Sequence, residues 1–405
     1  MLSAQILDIY KNPINDDSIN HLEFRTYLPF IKSFENNDII EISVNRNDAW
    51  VLLCNAALSI KGKLEKEGSG DVKFVNNAAG FFFDSITYEL NGIEVEHVKN
   101  PGIVSLIRGY LCYNKNDSNR LRAASWSYPD HVTTNTNGSF YMRIPLSHFL
   151  GICQDYQVAI SGRHNLRLVR SRNDNNCVLI TGNDKKDTTF KLTIENIELK
   201  VKHIIPNDII KVKLLKSLKE DRPILIPFRK WELHELPSLN ANSTKEIWCV
   251  KTTTTVECPR YIIAAFHTNR NNLAMKDITL FDNLNISDIR LFLNGEYYPY
   301  ERMNLNFTNN DYADVYYNYT EFASSFFNSA ERKETLLDFP DFKTHALFVI
   351  DCSRRDESIK SSAIDVKVEI ETREGIPANT KGYCAIIHDC IIEQLPLTEV
   401  VRKIN

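Results

Sequence analysis

The sequence has few of the features that mark fibrous, disordered or membrane-spanning chains. Glycine and proline number 14 each among 405 residues, too few for a collagenous or low-complexity polypeptide. No run of about 18 apolar residues occurs, which excludes an ordinary transmembrane helix. The first residues lack the basic and apolar regions of a secretory signal. This pattern predicts a soluble, globular, intracellular protein.

Cysteine and charge each exclude a further class. The nine cysteines form no Cys-x-x-Cys pair and are odd in number, which disfavours a disulfide framework and favours a reducing compartment. The 48 basic and 52 acidic residues leave a net charge of −4. Such a balance gives no global electrostatic footprint for nucleic acid. Direct, sequence-specific nucleic-acid binding is therefore not expected.

Known catalytic motifs are also missing, and one cluster only resembles a metal site. No phosphate-binding Gly-rich loop, Gly-x-Ser-x-Gly or His-Glu-x-x-His occurs. Cys384, His388 and Cys390 would share one face of a strand. The two cysteines would then lie about 20 Å apart, too far for one tetrahedral zinc ion. The pattern predicts a buried strand with one hydrogen-bonded histidine, and we expect no metal, no other cofactor and no catalytic residue.

A second cluster resembles an acid–base set. Glu94 and Glu96 precede His97 and alternate with Ile93 and Val95. On a strand this alternation places both carboxylates on one face. It predicts a solvent-facing hairpin arm and not a catalytic site.

Aromatic residues and asparagine are abundant instead. The chain holds 17 Tyr and 21 Phe, which suit half-buried strands, while asparagine favours left-handed turns. Strand-like segments recur along both halves and indicate sandwiches or barrels. Helical periodicity is confined to about residues 102–110, 207–218 and 311–326.

An internal repeat divides the chain into two halves. Residues 84–92 and 287–295 both form an alternating strand that ends in Asn-Gly, the strongest short hairpin signal. The offset from Asn91 to Asn294 is 203 residues, about half of the 405-residue length. The spacing predicts one β-domain present twice, with the helix at 207–218 as the connector.

Four groups of segments carry a resemblance to a known family. These are residues 74–77 with 83–92, 144–147 with 166–170, 259–299, and 347–353. In these segments the chain resembles the double jelly-roll major capsid proteins of Polinton/Maverick elements, adintoviruses and virophages, distant relatives of the adenovirus hexon. The resemblance spans most of the chain, although no single segment is as specific as a phosphate-binding loop.

The resemblance implies an all-β fold of two tandem eight-stranded jelly rolls with short connecting helices. We expect an N-terminal arm at 1–24, a first jelly roll at 25–205, a helical connector at 206–224, a second jelly roll at 225–395 and a C-terminal tail at 396–405. An apolar stripe in the arm either docks on a neighbouring subunit or belongs to an unstructured leader; its residues are Leu2, Ile6, Ile9 and Tyr10. The hairpin residues expected to be structural are Asn91, Gly92, Asn294, Gly295 and Pro299.

The family has no catalytic residues, so the resemblance implies a structural protein and not an enzyme. It implies a viral or transposon-encoded major capsid protein whose homotrimers have a pseudo-hexagonal outline and tile an icosahedral shell. The expected location is the virion, assembled in the host cytoplasm or nucleus. The expected partners are neighbouring capsomers and penton or minor capsid proteins, and an internal membrane is left open.

Three alternatives remain at this point. Jelly rolls also occur in carbohydrate-binding proteins and cupin-like enzymes. A minor capsid or penton-type protein usually has a single jelly roll, which the 203-residue repeat disfavours. A host-domesticated capsid-like protein is the third.

Overall fold

A computed structural model describes residues 19–45, 50–131, 137–182, 184–219, 221–253, 259–293, 296–329, 334–353 and 364–404. Strands dominate these ranges and fall into two successive sets. The first set is β1 (Ile19–Tyr27), β2 (Ile39–Asn45), β3 (Trp50–Glu67), β4 (Asp71–Phe74), β5 (Phe83–Leu90), β6 (Ile93–Lys99), β7 (Ser139–Pro145), β8 (Arg163–Arg170), β9 (Val178–Thr181) and β10 (Thr189–Pro206). The second set is β11 (Ile224–Leu236), β12 (Lys245–Thr253), β13 (Pro259–Thr268), β14 (Ile286–Leu293), β15 (Glu296–Tyr298), β16 (Phe348–Asp351), β17 (Ile364–Thr372), β18 (Thr380–Gln394) and β19 (Val401–Ile404).

Helices are short and lie between the strands. They are α1 (Ala78–Phe81), α2 (Pro101–Cys112), α3 (Lys115–Arg120), α4 (Gly151–Asp155), α5 (Asp208–Lys219), α6 (Ala313–Phe326) and α7 (Phe339–Phe342). Within the described ranges, no helix has both the length and the apolar character needed to span a lipid bilayer.

The two sets of strands build the same pair of sheets. In the first set the four-stranded sheets have the orders β1-β10-β3-β7 and β2-β8-β5-β6. In the second set the orders are β11-β18-β13-β16 and β12-β17-β14-β15, with β19 added beside β18. The orders agree position by position, and every strand pairing is antiparallel. Each half is therefore a jelly roll, and the prediction of an all-β double jelly roll is confirmed.

Alternating burial explains why each sheet pair closes around a core. In β2 the side chains of Ile40, Ile42 and Val44 are buried, while the residues between them are not. Such a period of two gives a sheet one apolar face, which packs against the facing sheet. The buried side chains of both halves form one continuous apolar cluster.

The strand directions give the molecule two distinct ends. Ile19 pairs with Pro206, so the start of β1 and the start of α5 lie at the same end. The Asn91–Gly92 turn and the C-terminal residues join them there, because the Asn91 amide donates to the Glu399 carbonyl over 3.0 Å. We call this the turn end. The opposite end carries α1, α2 and α3 and the β4–β9 pair, and we call it the loop end.

The domain boundaries stay a prediction, and the predicted arm and tail both contain strand residues. β1 begins at Ile19, inside the segment assigned to the arm, and β19 lies inside the segment assigned to the tail. β1 gave little signal because its side chains are largely exposed on both faces, without alternation. The N-terminal stripe at residues 2–10 and the Asn294–Gly295 pair lie outside the described residues.

Candidate assembly surfaces

The first-half hairpin turn links the first jelly roll to the C-terminal segment. Asn91 and Gly92 have φ angles of 51° and 82°, the left-handed values that a two-residue type I′ turn needs. The Asn91 side-chain oxygen accepts a hydrogen bond from the Arg163 amide N–H at 2.8 Å, and its amide group reaches Glu399. The turn thus fixes strand register and also holds the last residues of the chain. In the second half, Pro299 follows β15 directly.

Glu96, predicted to face solvent with Glu94, is fully buried. Tyr88 pairs with Glu96 and Glu89 pairs with Glu94, so Val95 is an extra residue that forms a β-bulge. The bulge breaks the two-residue period and turns Glu96 inward, while Glu94 stays exposed. The prediction was wrong for Glu96 for this reason.

The Glu96 carboxylate is held by backbone donors. It accepts hydrogen bonds from the N–H groups of Gly151 and Ile152 at 2.9 and 3.1 Å. Burial raises the pKa of Glu96, and these hydrogen bonds and the charges of Arg108 and Lys230 oppose that shift only partly. Glu96 therefore joins β6 to α4 as a buried polar contact.

The Cys384, His388 and Cys390 cluster lies along β18. Cys384 and His388 are buried and Cys390 is half-buried. Over the described ranges, no three His, Cys, Asp or Glu residues come together in a group able to hold a metal ion. The cluster has the strand geometry expected from its spacing.

The two jelly rolls meet where β11 packs against the first half. Trp231 on β11 is 1% exposed, and the Arg108 guanidinium of α2 lies 5.8 Å from the centre of its ring. A side chain at Gly151 would put its Cβ 1.9 Å from the Arg229 carbonyl oxygen, so α4 touches the β11 backbone directly. Asp155 accepts hydrogen bonds from both the backbone and the guanidinium of Arg229 at 2.8 to 2.9 Å. β11 is thus covered by the first jelly roll.

Helices α2 and α6 follow equivalent strands but differ in exposure. All twelve residues of α2 are buried, whereas five of the fourteen residues of α6 are. The Tyr319 hydroxyl of α6 donates to the Tyr110 carbonyl of α2 over 2.9 Å. One face of α6 thus meets α2, and another face, which includes Tyr317, is exposed.

The β11 junction has two sides, and each side has a counterpart elsewhere in the chain that is exposed to solvent. In the first jelly roll, β1 takes the place of β11. Phe24 on β1 is 55% exposed, and Leu22, Leu28 and Phe30 nearby are also exposed. We call the surface of Leu22, Phe24, Leu28 and Phe30 the β1 face.

The second open surface lies on the second jelly roll, where β15 and α6 take the places of β6 and α2. Tyr300 is 90% exposed, and Tyr297 and Tyr317 are exposed as well. A pocket of about 240 Å³ opens here between the strand end and α6, lined in part by Tyr298, Pro299 and Phe322. We call the surface of Tyr297, Tyr300 and Tyr317 the tyrosine face.

Comparison with known proteins decides the family. A model of the double jelly roll-like domain matches residues 72–392 of the chain. The chain belongs to the double jelly roll-like domain family. The resemblance stated from the sequence is confirmed at this level. No curated protein sequence matches the chain.

Solved structures with this double jelly roll cover nearly the whole chain. The Sputnik virophage structure matches with a TM-score of 0.62 at 11% identity, over 98% of this chain and 91% of that chain. The capsid of the virus PBCV-1 matches with a TM-score of 0.61 at 9% identity, over 98% and 99%. The mavirus major capsid protein matches with a TM-score of 0.57 at 9% identity, over 97% and 91%. At these identities the likeness shows a shared fold.

Neither the β1 face nor the tyrosine face was singled out from the sequence. Isolated surface aromatics have no periodic signature, and the covering of β11 depends on contacts between residues far apart in the chain. The usable signal was the repeat itself, since it predicts that whatever covers one jelly roll has an equivalent on the other.

Proposed function

We propose that this protein is a major capsid protein whose chains join in threes into capsomers of pseudo-hexagonal outline, and that capsomers tile an icosahedral shell. The proposal rests on one observation: the chain buries the junction between its own two jelly rolls but leaves two counterpart surfaces exposed. The β11 junction is closed within the chain, while the β1 face and the tyrosine face occupy the equivalent positions and stay exposed.

Two different faces on one chain favour a closed ring. When the β1 face of one copy meets the tyrosine face of the next, the contact is head-to-tail, and such contacts form rings when the rotation closes. Because the two jelly rolls have the same strand order, the contact between chains repeats the contact within the chain. A ring of six jelly rolls needs three chains.

Charged side chains accompany the aromatic groups of both faces. The cationic groups of Arg143 and Lys202 lie 5.5 and 5.9 Å from the ring centre of Phe24. Exposed carboxylates stand in the segments that carry the tyrosine face; these are Glu296, Glu301 and Asp314. The Arg290 guanidinium lies 4.6 Å from the ring centre of Tyr297. Exposed aromatic groups beside unlike charges are typical of protein interfaces. The outer edge of β1 also offers backbone groups for contact with a neighbour.

In this proposal the protein acts as a structural component of the virion and not as an enzyme. Its partners are further copies of itself, neighbouring capsomers and penton or minor capsid proteins, and assembly takes place in the host cytoplasm or nucleus. The Asn-Gly hairpins would serve as structural turns in both jelly rolls. The chain would derive from a virus or from a virus-derived element of the Polinton type.

Mass photometry of the purified chain tests the trimer. We expect the wild-type protein to be trimeric at micromolar concentration, and Phe24→Asp and Tyr300→Asp each to be monomeric. The matched control is Ile247→Asp, because Ile247 is 58% exposed on β12, the edge of its sheet opposite to β15, and belongs to neither face. Circular dichroism should show that all three variants are folded. A wild-type chain that stays monomeric, or face variants that trimerise like the control, would contradict the proposal.

A further inference from the structure

Helix α5 connects the two jelly rolls and is only partly packed against them, with Ile210, Leu214 and Leu218 half-buried. None of the side chains that the structure describes on α5 is buried. Ile209 is 67% exposed and Val212 is 51% exposed. An amphipathic helix in a globular protein normally buries its apolar stripe against a core. The exposed aliphatic side chains of α5 therefore need another explanation.

The same helix carries a concentrated positive charge. Lys211, Lys213, Lys216 and Lys219 are all exposed, and Asp208 is the one acidic residue between positions 208 and 219. In the part of the chain that the structure describes, none of the four lysines forms an ion pair within 4.0 Å. Their charges are thus open to an external partner.

The aliphatic and cationic groups lie on one face. Residues 209, 212, 216 and 219 follow the three- and four-residue spacing that aligns side chains on a helix. This outward face consequently carries Ile209 and Val212 with Lys216 and Lys219 along one line. We call it the α5 face.

Further exposed aliphatic side chains lie at the turn end together with α5. Leu397 is 64% exposed and is held near the end of α5, since its N–H donates to the Asp221 carboxylate over 2.9 Å. Leu225, at the start of β11, is 54% exposed, and Val400 is exposed as well. The turn end thus combines apolar surface with the lysines of α5.

We propose that the α5 face binds an anionic lipid surface, with the helix lying in the plane of the headgroups. A helix that presents lysines together with aliphatic side chains able to reach the acyl boundary is suited to this position. Phosphate groups of nucleic acid would also attract the lysines, but they would not remove the apolar surface of Ile209 and Val212 from water. The inference does not depend on trimer formation, because the face lies on a single chain.

Vesicle flotation with matched lysine pairs tests the charge. The probes are vesicles of phosphatidylcholine alone and vesicles that also contain phosphatidylserine. We expect binding only to the second kind, and each lysine near the surface to strengthen it about fivefold. Lys216→Gln with Lys219→Gln, the two lysines of the α5 face, should then weaken binding by about 25-fold. Lys185→Gln with Lys186→Gln, an exposed pair at the loop end, should leave binding unchanged.

A second variant separates lipid from nucleic acid. Ile209→Ser with Val212→Ser keeps every charge and should weaken vesicle binding while leaving binding to duplex DNA unchanged. Val212→Trp should show a blue-shifted fluorescence difference spectrum when phosphatidylserine vesicles are added. Absence of vesicle binding by the wild-type protein, equal losses in the two lysine pairs, or vesicle binding that is insensitive to the Ile209 and Val212 changes would overturn the proposal. Mass photometry of the same samples reports trimer formation separately.

Discussion

Strands β1 and β11 hold the same position in their jelly rolls but have opposite surroundings. β11 lies beneath α2 and α4, so that Trp231 is 1% exposed. β1 has no such cover among the described residues, and Phe24 is 55% exposed. The same contrast separates the fully buried α2 from α6, which keeps one face open. The β1 face and the tyrosine face thus correspond to the two sides of the β11 junction, but nothing in the described chain covers them.

In a chain with two similar domains, an exposed surface on one domain can be interpreted by examining the equivalent position on the other domain. Exposed aromatic residues on one domain are ambiguous when considered alone. Here the equivalent place in the second domain is already filled, by Trp231 with its aromatic and cationic neighbours. That internal example indicates the kind of contact that the open faces are built to make.

The contrast between β1 and β11 is tested most directly by replacing one aromatic side chain on each strand with alanine. Trp231→Ala should lower the free energy of unfolding by about 3 to 5 kcal/mol, since it leaves a cavity between α2, α6 and β11. Phe24→Ala should lower it by less than about 1 kcal/mol in the monomeric chain, because much of that ring is already in water. Urea denaturation at concentrations where the chain is monomeric measures both. Similar losses would show that β1 is covered within the chain after all.

The acidic residues of the equivalent strands β6 and β15 also differ in burial. Burial raises the pKa of Glu96 above its ordinary value of 4.5, whereas Glu94 on β6 and Glu296 on β15 are exposed. The folded chain therefore binds the Glu96 proton more tightly than the unfolded chain does. This contribution to stability is fully present below pH 4.5 and is lost as the pH rises through the raised pKa.

Urea midpoints measured against pH test this contribution. Glu96→Gln cannot ionise, so the fall in stability above pH 4.5 should become shallower than in the wild-type protein. Glu94→Gln is the matched control on the same strand and should keep the wild-type slope. A slope that is unchanged by Glu96→Gln would show that Glu96 does not titrate differently in the folded chain.

Periodic patterns were sufficient to predict most of the fold. β2 alternates buried and exposed side chains, and α6 repeats apolar residues at helical spacing, so both follow from local sequence. The duplication followed from two hairpin signals at a fixed offset. β1 was missed because its side chains are largely exposed on both faces, which removes the alternation by which a strand is recognised.

The candidate surfaces were less accessible from the sequence because they depend on tertiary contacts. The single extra residue Val95 reverses the orientation of Glu96, and a bulge of this kind has no reliable local signature. Arg108 lies in an otherwise apolar helix, and its position over Trp231 joins residues more than a hundred positions apart. A sequence pattern reports which face of an element is apolar but not which distant element covers it.

The smallest expected effect tests whether the two jelly rolls share their hairpin chemistry. Gly92 has a φ angle of 82° and no heavy atom within 4 Å of the place a Cβ would occupy, so a substitution there changes backbone strain and little else. Gly92→Ala should lower the free energy of unfolding by about 1 kcal/mol, and Gly92→Asn by less, because asparagine tolerates the left-handed region. Gly295→Ala should lower the free energy of unfolding by the same amount if both Asn-Gly pairs form the same type of turn. Chemical denaturation of the three variants gives the comparison, and a negligible cost at Gly295 beside a clear cost at Gly92 would confine the type I′ turn to the first jelly roll.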